Sequence, residues 1–285
     1  MDTEYLKTFL LLANLKNFTQ TAERLFIAQS TVTNRIIELE EEIGKKLFIR
    51  DRKSVTLTKE GILFLKYAKR IVELEESSIQ EINSLKFYND VLRIGSTNVI
   101  YEAYLSQGIH DFLKNNDDIS VKITLGHSLD LLQMLKDEIL DIVYSFIPLS
   151  KKGYQCSHFH TDELVLVTSP LNSRYPSGIR KEELSQINYL FCNFPFQEVS
   201  LSIRELFPQF YQFQLEIDNS SKLIQYLTDG MGYSFLPESF VKPYIKDGLL
   251  TSIPLLDFKA PQMRFYCSYR TRTEVVSKFI GNKKY

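Results

Sequence analysis

Tryptophan is absent from this 285-residue chain, and cysteine and histidine occur only three and four times. Cys156, Cys192 and Cys267 are widely separated and odd in number. That is no disulfide framework of a secreted domain, and it suits a reducing compartment. Long apolar runs are missing too. Phe9 to Ala13 falls far short of a bilayer crossing, and Met1-Asp2-Thr3-Glu4-Tyr5 lacks the basic-then-apolar order of an export signal. These absences predict a cytoplasmic protein with no membrane partner. Nor is there an excess of one charge: formal net charge is −1, and residues 1–60 hold ten Lys/Arg against nine Asp/Glu. A nonspecific polycationic coater of nucleic acid is excluded, so any positive field must be a local patch. Catalytic signatures are also lacking. No nucleophile elbow, phosphate loop or metalloprotease helix occurs, and Gly230-x-Gly232 lacks a third glycine and follows a helical pattern. The expectation is a protein that is not an enzyme and carries no cofactor.

What is present is a globular composition, 44% hydrophobic, long enough for two or three domains. Its most informative stretch runs from Phe18 to Arg50. Thr19 can cap a first helix, Ala22 permits close approach of a second, and Gln29 or Ser30 opens that second helix. Val32, Ile36, Leu39 and Ile43 recur at three-to-four-residue spacing and form a core-facing stripe. Gln29, Ser30, Thr31, Thr33, Asn34 and Arg35 occupy the remaining face, clustered at the helix start. Hydrogen-bonding side chains so placed suit the base edges of a major groove, which a recognition helix enters with its N-terminal end. Two amphipathic helices that merely pack would show much of the same pattern.

The downstream segment separates these readings. From Lys45 to Lys53 five basic residues stand against one acid, a local charge of +4. Val55 and Leu57 then alternate as in the return strand of a hairpin, or wing, whose Arg50, Arg52 and Lys53 can hold phosphate. The acids from Glu38 to Glu42 are expected to turn elsewhere.

These residues carry a resemblance that extends over the whole chain. The ordered set Leu6, Phe9, Ala13, Phe18-Thr19, Ala22, Leu25, Gln29, Val32-Thr33, Ile36, Leu39-Glu40, Gly44, Leu47-Phe48-Ile49-Arg50, Leu57-Thr58 and Gly61 resembles that of LysR-type transcriptional regulators. Thr21, Ser30 and Thr33 depart from the usual pattern, where alanine, proline and serine are common. The resemblance implies an α+β multidomain architecture: a winged helix-turn-helix over 1–58, a linker (dimerisation) helix over 59–89, and an effector domain over 90–285. The last would be a two-lobed, periplasmic-binding-protein-like α/β fold, with lobe 1 at about 90–160 and 269–285 and lobe 2 at about 161–268. Its strands cross between lobes near Phe159–Thr161 and Pro261–Tyr269. It further implies binding to double-stranded DNA as a homodimer or homotetramer, a small-molecule effector, and RNA polymerase as a further candidate partner.

The residues themselves bear on this organisation. Thr3 to Asn14 reads as a helix, and Thr58 caps a helical pattern from Lys59 to about Phe87. Two adjacent stripes on the latter, one with Phe64, Tyr67, Ile71 and Leu74, the other with Leu65, Ala68 and Val72, exceed what a small winged domain can bury. A partner helix, or the chain's own second domain, would cover the excess. Beyond Asp90, strands alternate with helices, as in a parallel sheet with helices on its faces.

In such sheets ligands bind beyond the carboxyl ends of strands. The loops Ser96-Thr97-Asn98 and Gly126-His127-Ser128 lie there, and the resemblance sets Asn193 opposite them. Their hydroxyls and amides beside helix starts suit an anion, although Ser, Thr and Asn also simply cap helices. Cys156, His158 and His160 alternate, but along a straight strand they span too far to share a metal ion, and no thiol switch is indicated. The alternative to a regulator is a small-molecule-binding protein or enzyme whose N-terminal helices serve only assembly. A regulator without an effector, answering to its own abundance or to a protein partner, is a third.

Overall fold

Short polar side chains start the first two helices of the computed structural model, which describes residues 1–51, 54–84, 87–193, 198–270 and 272–281. Helix α1 (Thr3–Leu15) opens on Asp2, whose carboxylate accepts the Glu4 amide at 2.8 Å. Helix α2 (Phe18–Leu25) opens on Asn17, which accepts the Gln20 amide at 3.0 Å. Thr19 was the expected cap. Because Asn17 already fills that role, Thr19 lies within the first turn and donates instead to Gln29 Oε1 at 3.2 Å. The chain reverses at Phe26, in left-handed backbone, and enters α3 (Gln29–Ile43), which ends at Gly44.

The stripe expected on α3 is inside: Val32, Ile36 and Leu39 are fully buried and Ile43 partly so. Ile36, Leu39 and Ile43 pack with Leu6, Phe9, Leu12 and Leu47, and the Phe9 ring lies 5.4 Å from that of Phe48 and 5.3 Å from that of Phe64. Strands β1 (Phe48–Asp51) and β2 (Ser54–Leu57) form the expected hairpin, pairing Phe48 with Leu57 and Asp51 with Ser54. Thr58 then caps α4 (Lys59–Ser84) by accepting the Gly61 amide at 2.9 Å. Gly61 is required by close approach, since a Cβ there would meet the Leu47 carbonyl oxygen at 2.2 Å. One stripe of α4, with Ala68 and Val72, is buried. The other face exposes Leu63, Tyr67, Ile71 and Leu74, and Ile82 farther along is 66% exposed. Arg52, Lys53 and Leu85 lie outside the described residues.

The chain divides into compact units at Phe87 and Tyr88. In the second, β3 (Asp90–Ser96) leads into one helical run made of α5 (Asn98–Ile100), a π-helical turn (Tyr101–Leu105) and α6 (Ser106–Lys114). Strand β4 (Ile119–Leu125), helix α7 (Ser128–Lys136) and strand β5 (Ile142–Ser145) follow. Strand β3 pairs in parallel with both β4 and β5, as alternation of strands and helices requires.

The rest of the sheet is not parallel. Strand β6 (Gln155–Thr168) is followed by β7 (Leu190–Cys192), α8 (Glu198–Arg204), β8 (Leu215–Ile217), α9 (Ser220–Thr228) and β9 (Tyr233–Pro237). Helix α10 (Glu238–Lys246), β10 (Thr251–Ile253), β11 (Gln262–Tyr269) and α11 (Glu274–Gly281) complete the order. Strands β5, β9, β10 and β11 all make antiparallel pairs, because β6 and β11 are long strands that run between two groups of elements and are not βαβ units. Residues 155–163 of β6 pair with β11, whereas 164–168 pair with β9. A register shift at Phe265/Tyr266 breaks the period of the Cys156–His160 stretch. His158 Nε2 sits 2.7 Å from Thr161 Oγ1, and the Cys156 sulfur accepts the Leu149 amide. Among the described residues no three His, Cys, Asp or Glu are grouped to hold a metal ion, and no helix is long and apolar enough to cross a membrane.

Candidate functional sites

Helix α3 begins at Ala28, which offers no capping side chain, so the positive end of its dipole meets no side-chain acceptor among the described residues. Around that end Gln29, Ser30 and Asn34 are exposed, and Thr31, Thr33 and Arg35 are half-buried. Three of the six side chains are engaged internally, Gln29 through the Thr19 hydroxyl already described. Thr33 donates its hydroxyl back to the Gln29 carbonyl at 3.1 Å. Arg35 turns toward α1, where Nη1 donates to Thr8 Oγ1 at 3.1 Å and lies 3.4 Å from Glu4 Oε2. Its long side chain ties the two helices together from the edge of the α3 face.

The wing rests on a carboxylate of α3. Glu40, one of the acids Glu38 to Glu42 expected to turn elsewhere, turns inward: it is 2% exposed and sits beneath the basic turn. Its Oε1 accepts the amides of Leu47 at 2.9 Å and Phe48 at 3.2 Å, and its Oε2 lies 2.9 Å from Lys46 Nζ and 3.2 Å from Arg50 Nη2. Burial by itself would raise this carboxyl. The Lys46 ammonium, the two amides and the Arg50 guanidinium outweigh it and hold Glu40 below the ordinary glutamate value. Arg50 also lies 5.3 Å above the Phe18 ring, so part of the +4 charge of this segment is spent on building the hairpin. Position 40 lies four residues from Ile36 and one from Leu39, on the edge of the buried stripe; that spacing was the available signal.

In the second unit the ends of β3, β4 and β8 open on a cleft of about 690 Å³. Thr97, Asn98, Gly126, His127 and Ser128, expected there, all line it. Ser96 does not: it is fully buried and donates to the Thr97 carbonyl at 3.0 Å. Asn193 is likewise absent from the described lining, and its amide donates to Ile217 at 2.7 Å. Sequence reasoning missed Phe146 and the segment Asp218-Asn219-Ser220. The latter is another strand-to-helix loop, between β8 and α9, and obeys the rule that identified the first two. His127 Nε2 lies 3.5 Å from Asp218 Oδ2. Next to the cleft, the π-helical turn reaches the far side: Glu102 accepts the Ser221 hydroxyl at 2.7 Å, and Tyr104 donates to buried Asp162 at 2.6 Å. Burial, then the Asp162 carboxylate, raises the Tyr104 phenol.

Two family models divide this chain between them. Residues 3–62 match the bacterial regulatory helix-turn-helix protein of the lysR family, and residues 88–280 match the LysR substrate binding domain. The chain belongs to the LysR family. It is thus a LysR-type transcription regulator, with the helix-turn-helix at its N-terminus and the effector-binding α/β domain after it. A relative in Bacillus subtilis (strain 168), the HTH-type transcriptional regulator CitR, is 28% identical over 98% of this chain and 97% of its own length. The crystal structure of CbnR, a LysR family transcriptional regulator, shares the fold with a TM-score of 0.72 at 16% identity, covering 99% of this chain and 97% of that one. Full-length CbnR complexed with its target DNA has a TM-score of 0.70 at 18% identity, with 99% and 98% covered.

The cysteines of this LysR-type chain differ in setting. Burial pushes the Cys192 thiol up to about 12, Cys267 is also buried, and Cys156 is exposed.

Proposed function

We propose that this regulator reads a partly palindromic operator as a dimer, with α3 in the major groove and the wing on phosphate. The observation that carries this reading is the uncapped start of α3 with Gln29, Ser30 and Asn34 exposed around it. Thr31 flanks them as a further reader, Thr33 and Arg35 position the helix, and Thr19 orients Gln29. Arg50, Arg52 and Lys53 serve the phosphate side. The CbnR complex with target DNA supports the mode by likeness of fold. In domain terms, 1–58 binds DNA, 59–89 dimerises through the exposed apolar face of α4, and 90–285 senses an effector. Pairs of dimers form a tetramer, RNA polymerase is a further partner, and the protein works in the cytoplasm by binding and not by catalysis.

A small molecule in the cleft shifts the relative weight of two arrangements of the effector domain and so alters half-site spacing or DNA bending. Gel-shift titration tests the DNA side. Ser30→Ala and Asn34→Ala should each cost about 1–3 kcal/mol on the specific operator and almost nothing on random DNA. Lys53→Ala should weaken both and reduce the slope of log affinity against log salt by about 0.9. Equal losses on both DNAs for the α3 variants would remove the recognition role from that face.

A further inference from the structure

The cleft already described has an uneven chemistry that narrows what it can hold. Its hydroxyls are largely committed. Ser128 accepts the Phe146 amide at 3.2 Å, and Ser220 is buried beside the Cys192 thiol. Thr97 is the exception: it is 6% exposed, and its hydroxyl has no hydrogen-bond partner among the described residues. A buried hydroxyl left unpaired is costly unless something reaches it. Beside it, the Gly126 amide donates to the Ser96 carbonyl at 3.1 Å and sets the start of α7 next to Thr97. That nine-residue helix begins on His127 without a side-chain cap among the described residues. One unpaired hydroxyl and one uncapped helix start make a pocket for a single carboxylate.

The rest of the lining opposes a simple anion. Asp130 and Asp218 both face the cleft, and no lysine or arginine lines it among the described residues. Even a charged His127 leaves an excess of one negative charge against these two carboxylates. A dianion would meet no compensating cation, and a monoanion would gain from carrying its own positive group. Asp218 is free to take that group at small cost. Its contact with His127 is 3.5 Å long, and both side chains are at least half exposed, so the pair contributes little by itself. Val99, Leu125, Leu129 and Phe146 supply the apolar remainder of the wall.

We infer that the cleft takes an α-amino acid with an apolar side chain. Its carboxylate lies at Thr97 and the start of α7, its ammonium on Asp218 in place of His127, and its side chain against Val99, Leu129 and Phe146. This inference rests on the reading of the cleft as the effector site. Calorimetric titration of the full-length protein with matched pairs tests it: leucine against 4-methylpentanoate, phenylalanine against 3-phenylpropanoate, and glutarate as the dianion. Leucine or phenylalanine should bind at least about tenfold more tightly than its deamino partner. Asp218→Asn, an exposed change whose fold is checked by an unaltered melting temperature, should erase that difference, with the carboxylic acid binding at least as tightly as to the wild type because one repelling charge is gone. If the carboxylic acids bind as well as the amino acids, or the preference persists in Asp218→Asn, the amino-acid assignment is overturned while the cleft keeps its effector role. Absence of binding by every acid in the panel would overturn both.

Discussion

Removal of the Glu40 carboxylate is the sharpest perturbation of the DNA-binding unit. In Glu40→Ala the Lys46 and Arg50 side chains lose a partner, but both have a path to water, with side-chain exposures of 68% and 31%. Their loss is correspondingly small. The Leu47 and Phe48 amides have no such path, because both residues are buried. Each stranded amide costs about 1–3 kcal/mol, so Glu40→Ala should destabilise the first unit by roughly 2–6 kcal/mol. For a unit of this size, at about 4–8 °C per kcal/mol, that lowers its melting temperature by at least about 8 °C. Glu40→Gln keeps a carbonyl oxygen for both amides and should cost no more than about 1.5 kcal/mol. Hydrogen exchange of the peptide spanning residues 45–58 reads the effect directly, with loss of protection at Leu47 and Phe48 in the alanine variant alone. Equal damage from alanine and glutamine would refute this reasoning, since the charge and not the amides would then hold the wing.

The same carboxyl sets an acid limit. Its folded value is depressed, so its contribution is complete above the unfolded glutamate value near ~4.3 and is lost as pH falls through the folded one. Wing protection, corrected for intrinsic exchange, should therefore decline below that pH in wild type, and Glu40→Gln should show no such step. Gly61→Ala drives a methyl into the Leu47 carbonyl and should cost about 1–3 kcal/mol, seen as a lower melting temperature with the effector domain unaffected. Under native alkylation at pH 8, Cys156 should react with iodoacetamide while Cys192 and Cys267 stay unmodified by mass spectrometry; labelling of Cys192 would contradict its burial. Leu74→Glu, on the exposed face of α4, should lower the mass measured by light scattering from an oligomer to a monomer.

The elements of the first unit were legible because each one announces itself locally. Three-to-four spacing on α3 marks Val32, Ile36 and Leu39 as buried, Thr58 marks the start of α4, and alternating Val55 and Leu57 mark a strand. The loops at Thr97 and at Gly126 to Ser128 were legible through a general rule about strand ends, which also covers Asp218 to Ser220 but was not extended to them. Competition between neighbours was harder to judge. Asn17 and Thr19 are both capping types, and only the backbone path shows that Asn17 stands at the helix start. The π-helical turn at Tyr101–Leu105 left no mark in the apolar spacing, since its ties to Asp162 and Ser221 come from residues far along the chain.

Sequence alone determined the helices and hairpin of the first unit, the oily faces of α3 and α4, and which family this chain resembles, because each of those rests on residues a few positions apart. Tertiary structure decided where charges go: Glu40 inward beneath its own basic turn, Arg35 across to Thr8, and Asp218 to within 3.5 Å of His127. A titratable side chain gains or loses most of its energy from partners that folding brings near, and no periodicity within one segment encodes them.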